Sequence, residues 1–357
     1  MTEPDRGVGW EPVLAGFHPD PSMCCVDGVY YLLTSSFGYH PGLPVHRSTD
    51  LVTWELIGHV LVGESWVDLR GLGASWGVWA PTIRHHAGTF FVVVTVAGPT
   101  SVAGNYLTTA SDPAGPWSPP RRLAAEGIDP DLFVDRDGRA WVCGARDAAE
   151  PDRPGLGPGE IWLRELDLDT LALVGPTHVL WHGAMTSTWV EGPHLYERDG
   201  RYLLVGAEGG TERNHAVTCA VADAVTGPFR TDPRSPLLTH RHLGESHPVQ
   251  NVGHADLVTT PDGGLVAVVL GVRPLAGHHV LGRETFLVPG EWSERGPVLA
   301  PGVGAVPPRA PSPTRPALDW ISLRGPVSYE VIGAADALAT NADALAGAAG
   351  ATVRLAP

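Results

Sequence analysis

Residues 191–207 read EGPHLYERDGRYLLVGA: a short strand led by a glutamate, an Asp199-Gly200 turn, and a second apolar run. Asp-Gly suits a tight hairpin because glycine accepts positive φ. The short run of Leu and Val after it reads as a buried strand. The same unit occurs five times. Its turns are Asp27-Gly28, Ala87-Gly88, Asp137-Gly138, Asp199-Gly200 and Asp262-Gly263, with the glycines spaced by 60, 50, 62 and 63 residues. The strand before each turn opens on Asp20, Trp79, Asp129, Glu191 or His254, eight or nine positions ahead of the turn glycine. After three of the hairpins comes a further turn, at 48–54, 111–117 and 223–229, which reads as the lead into an outer edge strand.

Five repeats of about 60 residues, each with about four short strands, predict an all-β chain folded as a five-bladed β-propeller. A β-sandwich with coincidental hairpins would not repeat one residue slot at this period. In a propeller the innermost strand of each blade lines the axis, so the five leading residues should converge on one mouth. Small or apolar residues are expected at such slots, yet four of these five are polar or ionisable. Burying several carboxylates together is costly unless they are paired or functional. Asp20, Asp129 and Glu191 are therefore expected to form one site, sharing a slot on blades one, three and four. Trp79 and His254 fill that slot on blades two and five. Asp131 and Asp135 are competing carboxylates. Asp131 is the more serious, because two residues along a strand return to the same side.

The propeller is expected to span residues 1–300. Five prolines between 307 and 316 make 301–317 a linker, and 318–357 is a short extension, an incomplete β-sandwich remnant with one strand-like piece, LDWISLRGPVSYEVIG. The net charge of −15 argues against nucleic acid or an anionic membrane as partner. It suits a neutral ligand such as a small oligosaccharide. All 24 basic residues are arginine, which excludes a Schiff-base lysine and a P-loop of the G-K-[ST] type. Cys24, Cys25, Cys143 and Cys219 form no C-x-x-C pair and read as reduced thiols. The N-terminus has no basic region followed by an apolar one, and no apolar stretch approaches a membrane span. The cytoplasm is the expected location. Oligomeric state is left open.

GFHPDPSMCCVDGVYYLLTSSFGYHPGLPVHRSTDLVTWELIG resembles the opening of glycoside hydrolase family 43 proteins. VWAPTIRHHAGTFFVV, GIDPDLFVDRDGRAWV, EGPHLYERDGRYLLVGAEGGTERNHAVT, VGHADLVTTPDGG and LGRETFL follow in the family's order, over roughly residues 11–290. The likeness is to the β-xylosidase and α-L-arabinofuranosidase branches. It implies an inverting glycosidase acting on xylo- or arabino-oligosaccharides. In that scheme Asp20 is the general base, Glu191 the general acid, and Asp129 the carboxylate that orients the acid and tunes its pKa. It also implies substrate contacts at Phe37, Trp79, Thr211, His254 and Arg283. No cofactor is required, though His254 matches an axial histidine that in many members holds a hydrated calcium. His194 and His215 read as core or supporting histidines.

Three other readings compete. One is a propeller that binds sugar and cleaves it weakly or not at all. Another is a retaining fructan hydrolase, whose WMNDPNG-type opening is absent. The third is a serine hydrolase, from Gly73-Ala74-Ser75-Trp76-Gly77; that elbow needs a helix after it, and a strand-like VWAPTI follows instead.

Overall fold

The computed structural model describes residues 9–62, 69–70, 72–150, 154–186 and 188–309, together with the backbone of 321–322. Five antiparallel sheets follow one another along the chain. Blade 1 is Ser22–Val26, Val29–Leu33, Gly42–Ser48 and Glu55–Leu61. Blade 2 is Gly77–His86, Thr89–Ala97, Gly104–Ala110 and Arg121–Arg122. Blade 3 is Ile128–Val134, Ala140–Asp147, Gly159–Asp167 and Ala172–Trp181. Blade 4 is Val190–Arg198, Arg201–Glu208, Ala216–Ala222 and Arg230–Thr231, with Leu238–Thr239 pairing beside Arg230–Thr231 on the third strand. Blade 5 is Gln250–Thr259, Leu265–Val272, Glu284–Ser293 and Gly296–Leu299. The innermost strands of neighbouring blades touch around an axis, so the chain is the five-bladed propeller that the repeat predicts.

No single core holds the ring together. Five apolar clusters each fill the space between two adjacent blades. Val92 and Val94 of blade 2, for example, meet Leu33 and Val45 of blade 1, all nearly inaccessible to solvent. Each such side chain contributes about 1.5–3 kcal/mol by leaving water. The ring closes where residues 13–14 join the third strand of blade 5: Val13 N donates to Thr285 O (2.8 Å) and Thr285 N to Leu14 O (3.2 Å).

The hairpins explain why the leading residue sits eight places before some turn glycines and nine before others. Asp27-Gly28, Ala87-Gly88 and Asp199-Gly200 have positive φ at both residues, the type I′ turn that matches strand twist. Blades 3 and 5 use wider loops, closed by Asp135 N to Arg139 O (2.8 Å) and Thr260 N to Gly264 O (3.0 Å). A wider loop places its glycine one residue further from the slot. The structurally equivalent residues are therefore Asp20, Ala80, Asp129, Gly192 and His254, all with φ between 37° and 55°. In blades 2 to 5 this residue falls in a β-bulge, where pairing skips from Trp79 to Thr82, Ile128 to Asp131, Glu191 to His194 and Gly253 to Asp256. This corrects the single-slot expectation. Trp79 and Glu191 stand one residue ahead of the slot, in a second ring shared with Ile128. A bulge re-aims adjacent side chains, which lets both rings reach the mouth.

Segment 301–309 is docked, not free as a linker would be. Val306 is buried in the cluster between blades 4 and 5, and its N–H donates to His240 Nε2 (2.9 Å). Arg309 N donates to Gly9 O (2.6 Å). The rest of the expected linker and extension lies outside the described residues, except Ile321–Ser322, whose backbone pairs with Tyr39–His40. All four cysteines are free, with Cys143 and Cys219 buried. Among the described residues no helix is long and apolar enough to cross a membrane.

Candidate active site

A cavity of about 290 Å³ opens at the axial mouth. Asp20, Phe37, Ser75, Trp79, Ile128, Asp129, Glu191, Thr211, His254 and Arg283 line it. All eight residues singled out from the sequence are thus brought together. Ser75, named from the sequence only within the elbow motif, and Ile128, not named at all, complete the lining. Ile128 is the blade 3 counterpart of Trp79 and Glu191, and the bulge register would have found it.

The carboxylates are held differently. Asp20 Oδ1 accepts from Arg283 Nη1 (2.7 Å) and Oδ2 from Ser35 Oγ (2.6 Å), while Ser35 Oγ accepts the Ala80 N–H (2.6 Å). Burial pushes the Asp20 carboxyl up, but Arg283, His254 and Ser35 outweigh it and hold the group below the usual carboxylate value. Asp129 Oδ2 accepts the Gly192 N–H (3.0 Å), and the Asp129 N–H donates to Thr95 Oγ1 (3.0 Å). Burial, then the charges of Glu191 and Asp20, push Asp129 well up. Burial and Asp20 raise Glu191 to about 7 against the pull of Arg283. Asp129 thus has two reasons to resist ionising, burial and the anions beside it, and Glu191 shares the first of them. The Gly192 N–H opposes the rise of Asp129, because it favours the anionic form. Glycine is needed at 192: a Cβ there would lie 2.9 Å from the His254 ring.

Beneath the pocket, Arg84 ties the five blades to one another. Its Nη1 donates to Asp256 Oδ2 (2.8 Å) and its Nη2 to Asp131 Oδ1 (2.7 Å) and His194 Nδ1 (3.0 Å). Nη1 also lies 3.3 Å from Ser22 Oγ of blade 1. Tyr196 Oη donates to Asp256 Oδ1 (2.6 Å). Asp131 is fully buried in this cluster and is absent from the cavity lining, which separates it from the site carboxylates. Asp135 accepts from Tyr202 Oη (2.7 Å) near the hairpin loop. His215 bonds Asn251 O through Nδ1 (3.0 Å).

His254 offers one imidazole nitrogen on the axis, so a calcium ion there would take its remaining ligands, oxygen in kind, from water. Burial lowers His254 to about 4, leaving a neutral imidazole. The carboxylates deeper on the axis, Asp131 and Asp256, already bind the Arg84 guanidinium. Among the described residues no three His, Cys, Asp or Glu side chains are grouped to hold an ion.

The sequence profile of glycosyl hydrolases family 43 matches residues 10–298. The chain belongs to this family. A xylosidase/arabinosidase of Butyrivibrio fibrisolvens is 46% identical over 300 residues, covering 82% of this chain and 56% of the relative. A non-reducing end α-L-arabinofuranosidase of Bacteroides ovatus is 40% identical over 288 residues, 80% of this chain and 52% of the relative. Among solved structures, a xylan β-1,4-xylosidase of Bacillus halodurans superposes with a TM-score of 0.77 at 38% identity, covering 87% of this chain and 60% of that one. The chain thus spans a little over half the length of the curated relatives it matches. Family 43 membership agrees with the propeller and with three carboxylates at its mouth.

Arg283 lowers Asp20, Asp129 and Glu191 alike. Activity carried by these groups should therefore follow a bell. Its acid limb reports protonation of Asp20, below the ordinary carboxylate range, and its alkaline limb reports loss of the Glu191 proton near 7. Arg283→Met removes the positive charge, so both limbs of kcat/KM against pH move to higher pH. A bell that keeps its position while only falling in height would refute this account of Arg283.

Proposed function

We propose that this chain is an inverting, exo-acting glycosidase that releases xylose or arabinofuranose from the non-reducing ends of xylo- or arabino-oligosaccharides, and that it needs no metal ion. The observation that carries the reading is the opposite tuning of two carboxyls in one cavity: Asp20 held anionic by Arg283, and Glu191 kept protonated to about 7. Asp20 takes a proton from a water as its oxygen bonds to the anomeric carbon. Glu191 gives its proton to the glycosidic oxygen as that C–O bond breaks. Free sugar and a shortened alcohol result, and proton exchange with solvent resets both carboxyls. Asp129 accepts the N–H of Gly192, the residue after Glu191, and so orients the acid. Phe37, Trp79, Thr211, His254 and Arg283 supply faces and hydrogen bonds to the sugar. The cavity is at the small end of ligand sites, which suits one sugar unit and supports exo action. The names of the relatives support the pentose.

Turnover of nitrophenyl β-xyloside and α-L-arabinofuranoside, undiminished by EDTA and followed at the anomeric proton by NMR, tests the sugar, the stereochemistry and the metal independence, and release of monosaccharide alone from xylotetraose tests exo action. Net retention would sink the inverting assignment. Loss of activity on chelation would sink metal independence. Sugar binding without turnover of either glycoside would leave a carbohydrate-binding propeller.

A further inference from the structure

The Gly73-Ala74-Ser75-Trp76-Gly77 loop resembles a nucleophile elbow in sequence, but it forms the blade 2 rim of the cavity. Trp76 N donates to Gly73 O (3.0 Å), closing a turn. Trp79 Nε1 donates to Ser75 O (3.0 Å), which fixes the rim to the pocket aromatic. Ser75 faces the cavity. The Trp76 indole lies nearly parallel to that of Trp79, with ring centroids 5.4 Å apart and planes at 11°. Trp79 lines the cavity, whereas Trp76 is 40% exposed. The two rings make a step leading from the pocket to its outside. Gly98 leaves room for the outer ring, since a Cβ there would lie 3.1 Å from Trp76 Cβ.

A lone exposed apolar side chain needs no explanation. This one is a rigid indole, continuous with a site aromatic and held by a turn on a cavity sized for one sugar. We infer that Trp76, with Ser75 beside it, is the leaving-group subsite, where the second unit of a xylo-oligosaccharide stacks. A xylopyranose ring suits the step because it lacks an exocyclic hydroxymethyl group, so its C–H faces lie flat on an indole. In exo action the rest of the chain must pass over the rim, and the aromatic step is on that rim. This inference rests on the proposed function for the identity of the sugar.

The test uses binding, so that it stands apart from hydrolysis. In Glu191→Gln, calorimetry with xylose and xylobiose should show xylobiose binding about tenfold tighter, the gain expected of one sugar ring on one indole. Adding Trp76→Ala should bring xylobiose to within about twofold of xylose and leave xylose unchanged. Adding Trp76→Phe should keep most of the gain, which separates stacking from misfolding. Three results would overturn the subsite: equal binding of the two sugars in Glu191→Gln, no effect of Trp76→Ala on xylobiose, or an equal loss for both sugars. Wild-type protein that cleaves no glycoside yet shows the Trp76-dependent ratio would reject the proposed function and keep the subsite.

Discussion

Glu191→Gln is expected to cut kcat on xylobiose by about 10³–10⁴, at the upper end of what a positioned proton donor supplies. A sugar alkoxide is a poor leaving group and cannot depart without that proton. A nitrophenolate leaves far more readily, so the same variant should lose much less on nitrophenyl xyloside. The alkaline limb near 7 should vanish with the carboxyl that produces it. Asp20→Asn behaves differently. It removes the base that activates water, so both substrates should suffer comparable losses, about 10²–10⁴. Equal losses on both substrates for Glu191→Gln would show that Glu191 is not the proton donor. The proposed division of labour would then fail even if both variants were inactive.

Arg84→Met carries the largest expected effect on stability. The guanidinium bridges Asp131 and Asp256, whose side chains are fully buried, and reaches His194 and Ser22 on two further blades. Its removal strands two carboxylates that have lost their counter-charge. Breaking such a buried pair typically costs about 3–5 kcal/mol. Urea unfolding should register that loss, and Asp256→Asn added to Arg84→Met should recover part of it by removing one unpaired charge. A loss below about 1 kcal/mol, the worth of an exposed pair, would mean that the axial cluster is solvated and does not hold the ring. The cluster adjoins the site, because the His194 ring lies 6.4 Å from that of His254. Some loss of kcat should therefore accompany the loss of stability.

The two variants act at different depths of the same axis, and the sequence made them unequally legible. Asp20, Asp129 and Glu191 stood out because each opens a strand in a repeated unit. Hairpin spacing and strand period are local properties, set by which residues accept positive φ and which alternate in burial. They determined five blades, the inner strand of each, and the convergence of Asp20, Trp79, Asp129, Glu191 and His254 on one mouth, whereas Phe37, Thr211 and Arg283 came from the family resemblance.

The tertiary structure decided what local spacing leaves undetermined. Loops of different width on blades 3 and 5 concealed the bulge register, so Glu191 and Trp79 belong to a ring one residue ahead of Asp20, Asp129 and His254. Asp131 and Asp129 look alike along the strand. Only the packing of five blades places one against Arg84 from blade 2 and the other in the cavity. Segment 301–309 reads as a proline linker, yet Val306 docks because the packing of blade 4 on blade 5 creates an apolar place for it. The opposite tuning of Asp20 and Glu191 has the same origin. Each carboxyl's affinity for its proton depends on burial and on Arg283, which is 263 residues from Asp20 in sequence and 2.7 Å from it in space.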